Sequence, residues 1–400
     1  MNYLVCFLSL YTILAAQSFD SVINRINQSP LDQRQRIIEQ YLNTKQFSPI
    51  IEQDTILHFV LYGKATNVSV LGALQHWNQP IALEKIPCGP YDFFHITFSV
   101  PSDARLDYQL IVDGRYITDP QNPRITPSGF GPHSEARMPR FFSSPYLYYR
   151  RDIPHGSIDS LAPVMKYPLP LSHFLIEPRP IKVYKPAGYV TISHLPSVYV
   201  LDGFEGIDNA FLPVIIDNLI AEKRIPPIIA VFIPPVDRYG EQMGYKSDRF
   251  SRYLCEDLVP MIDHIYRTEP AAQERALMGI SSGGFCALST LLKHQDVFLN
   301  AGGQSSSITP GLVRLTEQQM QLNAISPHLK IYLDCGRFDI NNDDLWSDHA
   351  SFLEKHRMYS NLLSSFHIPH YYKEVNDGHD WANWRERMPE MLMYFFGNRP

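Results

Sequence analysis

Arg275-Ala-Leu-Met-Gly-Ile-Ser-Ser-Gly-Gly-Phe-Cys-Ala-Leu288 is the stretch on which the fold turns. Ala276, Leu277 and Met278 make a short apolar run of the kind a buried strand carries. Gly279-Ile280-Ser281-Ser282-Gly283 follows as a G-x-S-x-G pattern, and Phe285, Leu288, Leu291 and Leu292 then recur at helical spacing. A strand, a tight turn and a helix in that order lift a serine onto a strained apex with its hydroxyl exposed. Glycine is required beside it because a Cβ would strike the neighbouring strand or helix. The alternative is a Gly/Ser turn without chemistry.

Outward from this stretch, strands and helices alternate. The expected strands are Ser197–Asp202, Ile228–Ile233, Ala276–Met278 within an elbow strand at 274–279, Leu299–Gln304, Lys330–Cys335 and His370–Val375. Helices are expected at 208–223, 250–266, 284–293, near 346–365 and at 385–396. Gly156–Leu161, Val164–Tyr167 and Arg179–Tyr184 read as an antiparallel lead-in. Such alternation predicts a mainly parallel sheet with helices on both faces, and the apolar runs at 228–233 and 330–335 suit burial on both sides.

A serine nucleophile needs a base and a group that orients the base. In this topology both follow the serine, acid first and histidine last, on loops at the carboxyl ends of later strands. Gly336-Arg-Phe-Asp339 follows one such strand and Asn376-Asp-Gly-His379 follows the last. His379 is the candidate base and Asp339 the candidate acid, with Asp334, Asp343, Asp344, Asp377 and Asp380 as nearby alternatives. An oxyanion hole needs two convergent backbone N–H groups. Ser282 supplies one candidate, and Phe204, after the strand ending at Asp202-Gly203, the other. Trp381 and Trp384 lie near the histidine, as pocket floor or as packing behind it. Arg238 follows strand 228–233 and either meets an anionic substrate or closes a loop salt bridge to Glu241. This chemistry calls for no metal or cofactor.

The N-terminal part differs in character. Residues 19–47 carry Ile23, Ile26, Ile37, Ile38, Tyr41 and Leu42 on an apolar face broken at Pro30, which predicts a helical pair. Residues 54–120 read as short strands separated by turns, with Phe94, Ile96, Phe98 and Val100 on one face and a hairpin turn at Asp113-Gly114. That pattern predicts a small β-sandwich. Residues 121–147, rich in Pro, Gly, Ser and Arg, read as a linker ahead of a second domain over 148–400, and Arg137 and Arg140 in it are candidates to meet an anionic substrate.

Val198-Tyr-Val-Leu-Asp-Gly203, Leu258-Val-Pro-Met-Ile-Asp263 with Tyr266, Gly279-Ile-Ser-Ser-Gly-Gly284 and Gly378-His-Asp-Trp-Ala-Asn-Trp-Arg385 resemble the esterase-D superfamily of α/β-hydrolases. The enterochelin (enterobactin) esterases and the exported feruloyl and acetyl-xylan esterases are the groups within it that are most similar. The resemblance implies an α/β-hydrolase fold and a serine ester hydrolase with Ser281 as nucleophile, His379 as base and Asp339 as acid. Gly72-Ala-Leu-Gln-His-Trp-Asn78, Leu106–Tyr116 and Asp119-Pro120 resemble the immunoglobulin-like early-set sandwich of branching enzymes and the AMP-kinase β-subunit. In sugar-binding members two tryptophans and a lysine grip the glucan. Trp77 stands at the first position, but Gln109 and Tyr116 replace the other two, so a structural domain that braces or partly covers the active site is expected ahead of a glycan-binding one. The sandwich-then-hydrolase order is that of the enterochelin esterases. Three further readings stay open: a feruloyl or acetyl-xylan esterase, an acyltransferase, and a glycan-binding protein on an inactive hydrolase scaffold.

The whole chain sets outer bounds. Four hundred residues with 44% hydrophobic content bury a large core, and length alone favours two domains. A net charge of −6 without a basic run argues against a nucleic-acid partner. Residues 3–16 are uncharged and apolar, end in Ala15-Ala16, and are too short to span a bilayer, which predicts a signal peptide over 1–16 and a periplasmic or secreted protein. Cys88, Cys255, Cys286 and Cys335 show no C-x-x-C pair or metal-ligand spacing, so neither a disulfide framework nor a structural zinc is expected.

Overall fold

The computed structural model describes residues 18–45, 47–129, 131–161, 179–192, 194–341 and 350–397. The expected signal peptide, the strand at 164–167, and Asp343 and Asp344 lie outside them. Two helices come first, α1 (Phe19–Gln28) and α2 (Leu31–Leu42), separated at Ser29-Pro30. Helices this short are marginal by themselves in water. Their stability comes from Phe19, Val22, Ile26 and Ile38, which are buried on Val60, Ile86 and Phe93 of the following sheet. Each such side chain contributes roughly 1.5–3 kcal/mol when taken out of water.

The strands that follow are β1 (Ile50–Glu52), β2 (Ile56–Gly63), β3 (Val68–Gly72), β4 (Ile81–Ala82), β5 (Glu84–Pro87), β6 (Asp92–Ser99), β7 (Arg105–Val112), β8 (Arg115–Ile117), β9 (Ile125–Thr126) and β10 (His133–Arg137). They make two sheets, ordered β1-β2-β6-β5 and β4-β3-β7-β10-β9, with β8 pairing β7. The period of two in β6 sorts its residues between two cores: Phe94 turns to the sandwich interior and Phe93 to the helical pair. Asp113 and Gly114 both have positive φ, 47° and 80°, as a two-residue hairpin with matching twist requires.

One expectation needs correction here. The stretch 121–147 is not a linker without structure, because β9 and β10 lie within it and β10 pairs β7 over Ser134–Arg137. Its many prolines and glycines hid two short strands whose partners are distant in sequence. Arg137 pairs with Glu135, and Arg140 is an exposed neighbour of Asp54, so neither lines the candidate site.

The second domain contains β11 (Ser157–Leu161), β12 (Ile181–Lys185), β13 (Ser197–Leu201), β14 (Ile229–Ile233), β15 (Arg275–Ile280), β16 (Asn300–Gln304), β17 (Lys330–Phe338) and β18 (His370–Gly378). They form one sheet in the order β11-β12-β14-β13-β15-β16-β17-β18. The first two are the antiparallel lead-in, and from β14 onward neighbours run parallel. The helices are α3 (Gly203–Asp208), α4 (Leu212–Ala221), α5 (Arg238–Gln242), α6 (Ser247–Arg252), α7 (Val259–Ile265), α8 (Ser282–Lys293), α9 (Pro310–Gln321), α10 (Phe352–Ser365) and α11 (Trp381–Phe396). Two apolar clusters cover opposite faces of the sheet. Alternate residues of β13 show this: Tyr199 and Leu201 join one cluster, Val198 and Val200 the other. No helix among the described residues is long and apolar enough to cross a membrane.

The two domains are joined by buried polar contacts. The fully buried Arg105 guanidinium donates to Asp107 at 2.8 Å, to Glu135 at 3.0 Å and to Asn383 Oδ1 at 2.6 Å. Asn383 in turn donates to the carbonyl of Gly378 at 3.0 Å. Burying charge costs several kcal/mol per ion, so such a cluster adds little net stability. It does specify geometry, and here it fixes the start of α11, immediately beside His379.

Candidate active site

Ser281 sits between β15 and α8 with φ 52° and ψ −119°, a backbone conformation costly for any residue with a side chain. Close packing enforces it. A Cβ on Gly279 would lie 2.4 Å from the carbonyl of Gly283, and one on Gly284 would lie 2.2 Å from Ser306 Oγ. The Ser281 N–H donates to Gln304 O at 3.0 Å and its carbonyl accepts from Ser307 N–H at 2.9 Å. The apex is therefore held on both sides while the side chain faces a cavity of about 620 Å³.

His379 follows β18 and lines the same cavity. Its Nδ1 lies 2.6 Å from Asp339 Oδ1. The carboxylate accepts, so Nδ1 carries the proton and Nε2 is left with a lone pair, the tautomer a base needs. Trp384 presents its ring to the imidazole at 4.8 Å and 84°, and Phe352 at 5.5 Å and 80°. Trp384 is itself fixed by its Nε1–H donating to Ser305 Oγ at 3.0 Å.

Among the described residues, the other candidate carboxylates are committed elsewhere. Asp334 and Asp377 both pair with Arg387, and Asp380 lies 3.1 Å from His133 Nδ1. Asp339 is buried, which by itself raises its pKa. The charge and hydrogen bond of His379, helped by the Ser305 hydroxyl, outweigh burial and hold it at about 2. A carboxyl depressed in the folded state adds stability above its unfolded pKa and loses it as pH falls through the folded value. Asp339 should thus stabilise the fold by about 2 kcal/mol above pH 4. The stability difference between the parent chain and Asp339→Asn, measured by urea unfolding, should shrink by that amount between about pH 4 and pH 2. A difference that stays constant over this window would remove the linkage.

The two candidate oxyanion donors are tied together by side chains. Ser282 is the first residue of α8, so its N–H has no partner within the helix. Phe204 occupies the first turn of α3, where the same holds. Gly203 precedes it, and a Cβ there would lie 2.3 Å from the N atom of Ile233, so only glycine fits. The Ser282 hydroxyl donates to Gln242 Oε1 at 2.6 Å, and Gln242 Nε2–H donates to Asp202 Oδ1 at 2.9 Å. Arg238 closes the chain with two 2.8 Å bonds to the same carboxylate. This corrects the expected loop salt bridge: Glu241 pairs with the buried Arg179 at 2.6 Å instead of Arg238. Helix α5 turns Arg238 toward Asp202 and Glu241 into the interior.

The cavity wall comes from both domains. The hydrolase side supplies Glu205, Arg238 and Trp381, and the sandwich side supplies Leu71, Trp77, Gln109 and His133. Trp77 packs on His133 with ring centroids 4.6 Å apart. Tyr116 is exposed on β8 and does not line this cavity. Gln242, His133, Asn383 and Ser305 were not singled out from sequence. Asn383 stands inside the quoted Gly378–Arg385 stretch without a role read for it, the other three are polar residues in stretches with no motif, and only contacts over long separations mark them.

The model of the Esterase family matches residues 172–395, more than half of the chain. An endo-1,4-beta-xylanase/feruloyl esterase of Xylanibacter ruminicola is 27% identical over 208 residues, covering 48% of this chain and 27% of that protein. An acetyl esterase of Caldicellulosiruptor saccharolyticus is 22% identical over 235 residues, covering 49% of this chain and 82% of its own. The alignment thus spans about a quarter of the first relative and most of the second. The crystal structure of ferric enterobactin esterase from Salmonella typhimurium superposes with a TM-score of 0.69 at 17% identity, covering 89% of this chain and 98% of that one. That likeness shows the fold: an α/β-hydrolase domain preceded by an all-β region.

Proposed function

This chain belongs to the Esterase family, and on that premise we propose that it is a serine carboxylic-ester hydrolase acting through an acyl-enzyme. The observation that carries the reading is the Asp339–His379 pair opening onto the cavity that receives the strained Ser281. Ser281 Oγ attacks the ester carbonyl as His379 Nε2 takes its proton. The N–H groups of Ser282 and Phe204 stabilise the oxyanion. His379 returns the proton to the departing alcohol. Water then adds to the acyl-enzyme by the same route and releases the acid. Arg238 and Trp381 contact the substrate from the hydrolase wall. The apolar stretch 3–16 supports export to the periplasm or beyond the cell.

The substrate reading that we favour is a siderophore triester of the enterobactin kind. A cavity walled by both domains supports a bulky substrate, and the two-domain arrangement supports the enterobactin-type assignment. The sequence likeness to esterases of plant polysaccharide supports the second reading, an acyl group on xylan. We expect a burst with p-nitrophenyl acetate and stoichiometric labelling by a fluorophosphonate. Turnover of ferric enterobactin but not methyl ferulate or acetylated xylan would select the first substrate class, and the reverse would select the second. A folded chain that takes no label and turns over no ester would overturn the hydrolase itself.

A further inference from the structure

We infer that His76, a residue of the sandwich, positions Asp339 for catalysis from the other domain; the inference rests on Asp339 being the acid of the proposed hydrolase. The sheet does not hold Asp339. The ladder between β17 and β18 ends at Phe338 opposite Gly378, one residue before the acid. Beyond that point the Asp339 carbonyl accepts a hydrogen bond from His76 Nδ1 at 2.6 Å. The next N–H along, that of Ile340, donates at 2.8 Å to Asp339 Oδ1, the oxygen that also receives His379 Nδ1. These contacts share one peptide plane, that between Asp339 and Ile340. The plane is rigid, so its C=O and N–H can only turn together. Holding the carbonyl from the sandwich therefore holds the N–H that aims the carboxylate at His379.

The corner that delivers His76 is built for a fixed direction. His76 and Trp77 are consecutive non-glycine residues with φ 52° and 55°, a left-handed pair that persists only where the surroundings over-determine it. The N–H groups of His76, Trp77 and Asn78 bond to Ala73, Gly72 and Gln75 at 2.8–3.0 Å. Ala73 of the same corner packs so close to Gly378 that a Cβ there would lie 2.8 Å from its own. One turn of the sandwich thus presses on the residue before His379, reaches the backbone of Asp339, and sends Trp77 into the cavity wall.

A residue that only glued the domains together would act independently of the acid, whereas a positioning residue acts through it. In the full-length chain, His76→Ala should lower kcat for a soluble ester about tenfold, the size of one lost hydrogen bond, with KM changed less than about twofold. His76→Asn should recover most of the loss, since its amide N–H reaches the place of Nδ1–H. His76→Gln, whose amide lies one carbon further out, should not. In an Asp339→Asn background His76→Ala should cost nothing more. Full kcat in His76→Ala, or an equal loss with and without Asp339, would overturn the inference. If the alanine variant does not fold, equal kcat in the Asn and Gln variants would overturn it as well. An Asp339→Asn variant with undiminished kcat would instead overturn the reading of the acid, a separate failure.

Discussion

Replacement of Ser281 by alanine is expected to lower ester turnover by about a millionfold, the scale at which serine hydrolases lose their nucleophile. The size follows from what the elbow does. Close packing at Gly279 and Gly284 keeps the backbone at φ 52° with or without the hydroxyl, so the variant should fold and melt as the parent does. Only the proposed attacking oxygen is gone. Residual hydrolysis, about a thousandfold or more above water, should remain, because the oxyanion donors and the binding cavity are untouched. Fluorophosphonate labelling and initial rates on the same preparations read the result. A variant that keeps its label, or most of its rate, would place the nucleophile elsewhere.

The second large effect is expected at His379. His379→Gln should cost on the order of 10⁵-fold in kcat, because an amide cannot take a proton at neutral pH. The surroundings of the side chain should keep the loss chemical. Trp384 and Phe352 pack against it edge-on, and Arg105 with Asn383 fixes the backbone on either side. The double variant with Ser281→Ala should be no slower than Ser281→Ala alone, since the two residues serve one proton transfer. Additive losses in that double variant would mean they act in separate steps, and a His379→Gln rate within a few-fold of the parent would assign the base elsewhere.

Much of this was legible in the chain because the signals are local. The apolar runs of β13, β14, β15 and β17, each closed by a turn and followed by a helix, announce a parallel sheet within windows of about twenty residues. Ser281, Asp339 and His379 stand out as candidates for the same reason, as residues at strand ends in the order serine, proposed acid, proposed base. The signal weakened wherever a partner was remote. β9 and β10 sit in a Pro- and Gly-rich stretch and are strands only because β7 pairs β10. Arg238 and Glu241 are one helical turn apart, yet α5 sends them to Asp202 and Arg179 respectively.

The sequence by itself thus determined the architecture and pointed to the candidate trio, because periodicity, turn chemistry and strand order are properties of neighbouring residues. Only the tertiary structure decided what surrounds that trio. His76 reaches Asp339 across 263 positions, His133 reaches Asp380 across 247, and Gln242 bridges Ser282 and Asp202 across 40 in each direction. No short window contains both ends of these bonds. The first two exist because the sandwich packs on the carboxyl edge of the sheet, and the last because α5 meets the end of β13 and the start of α8, so all depend on the folded shape.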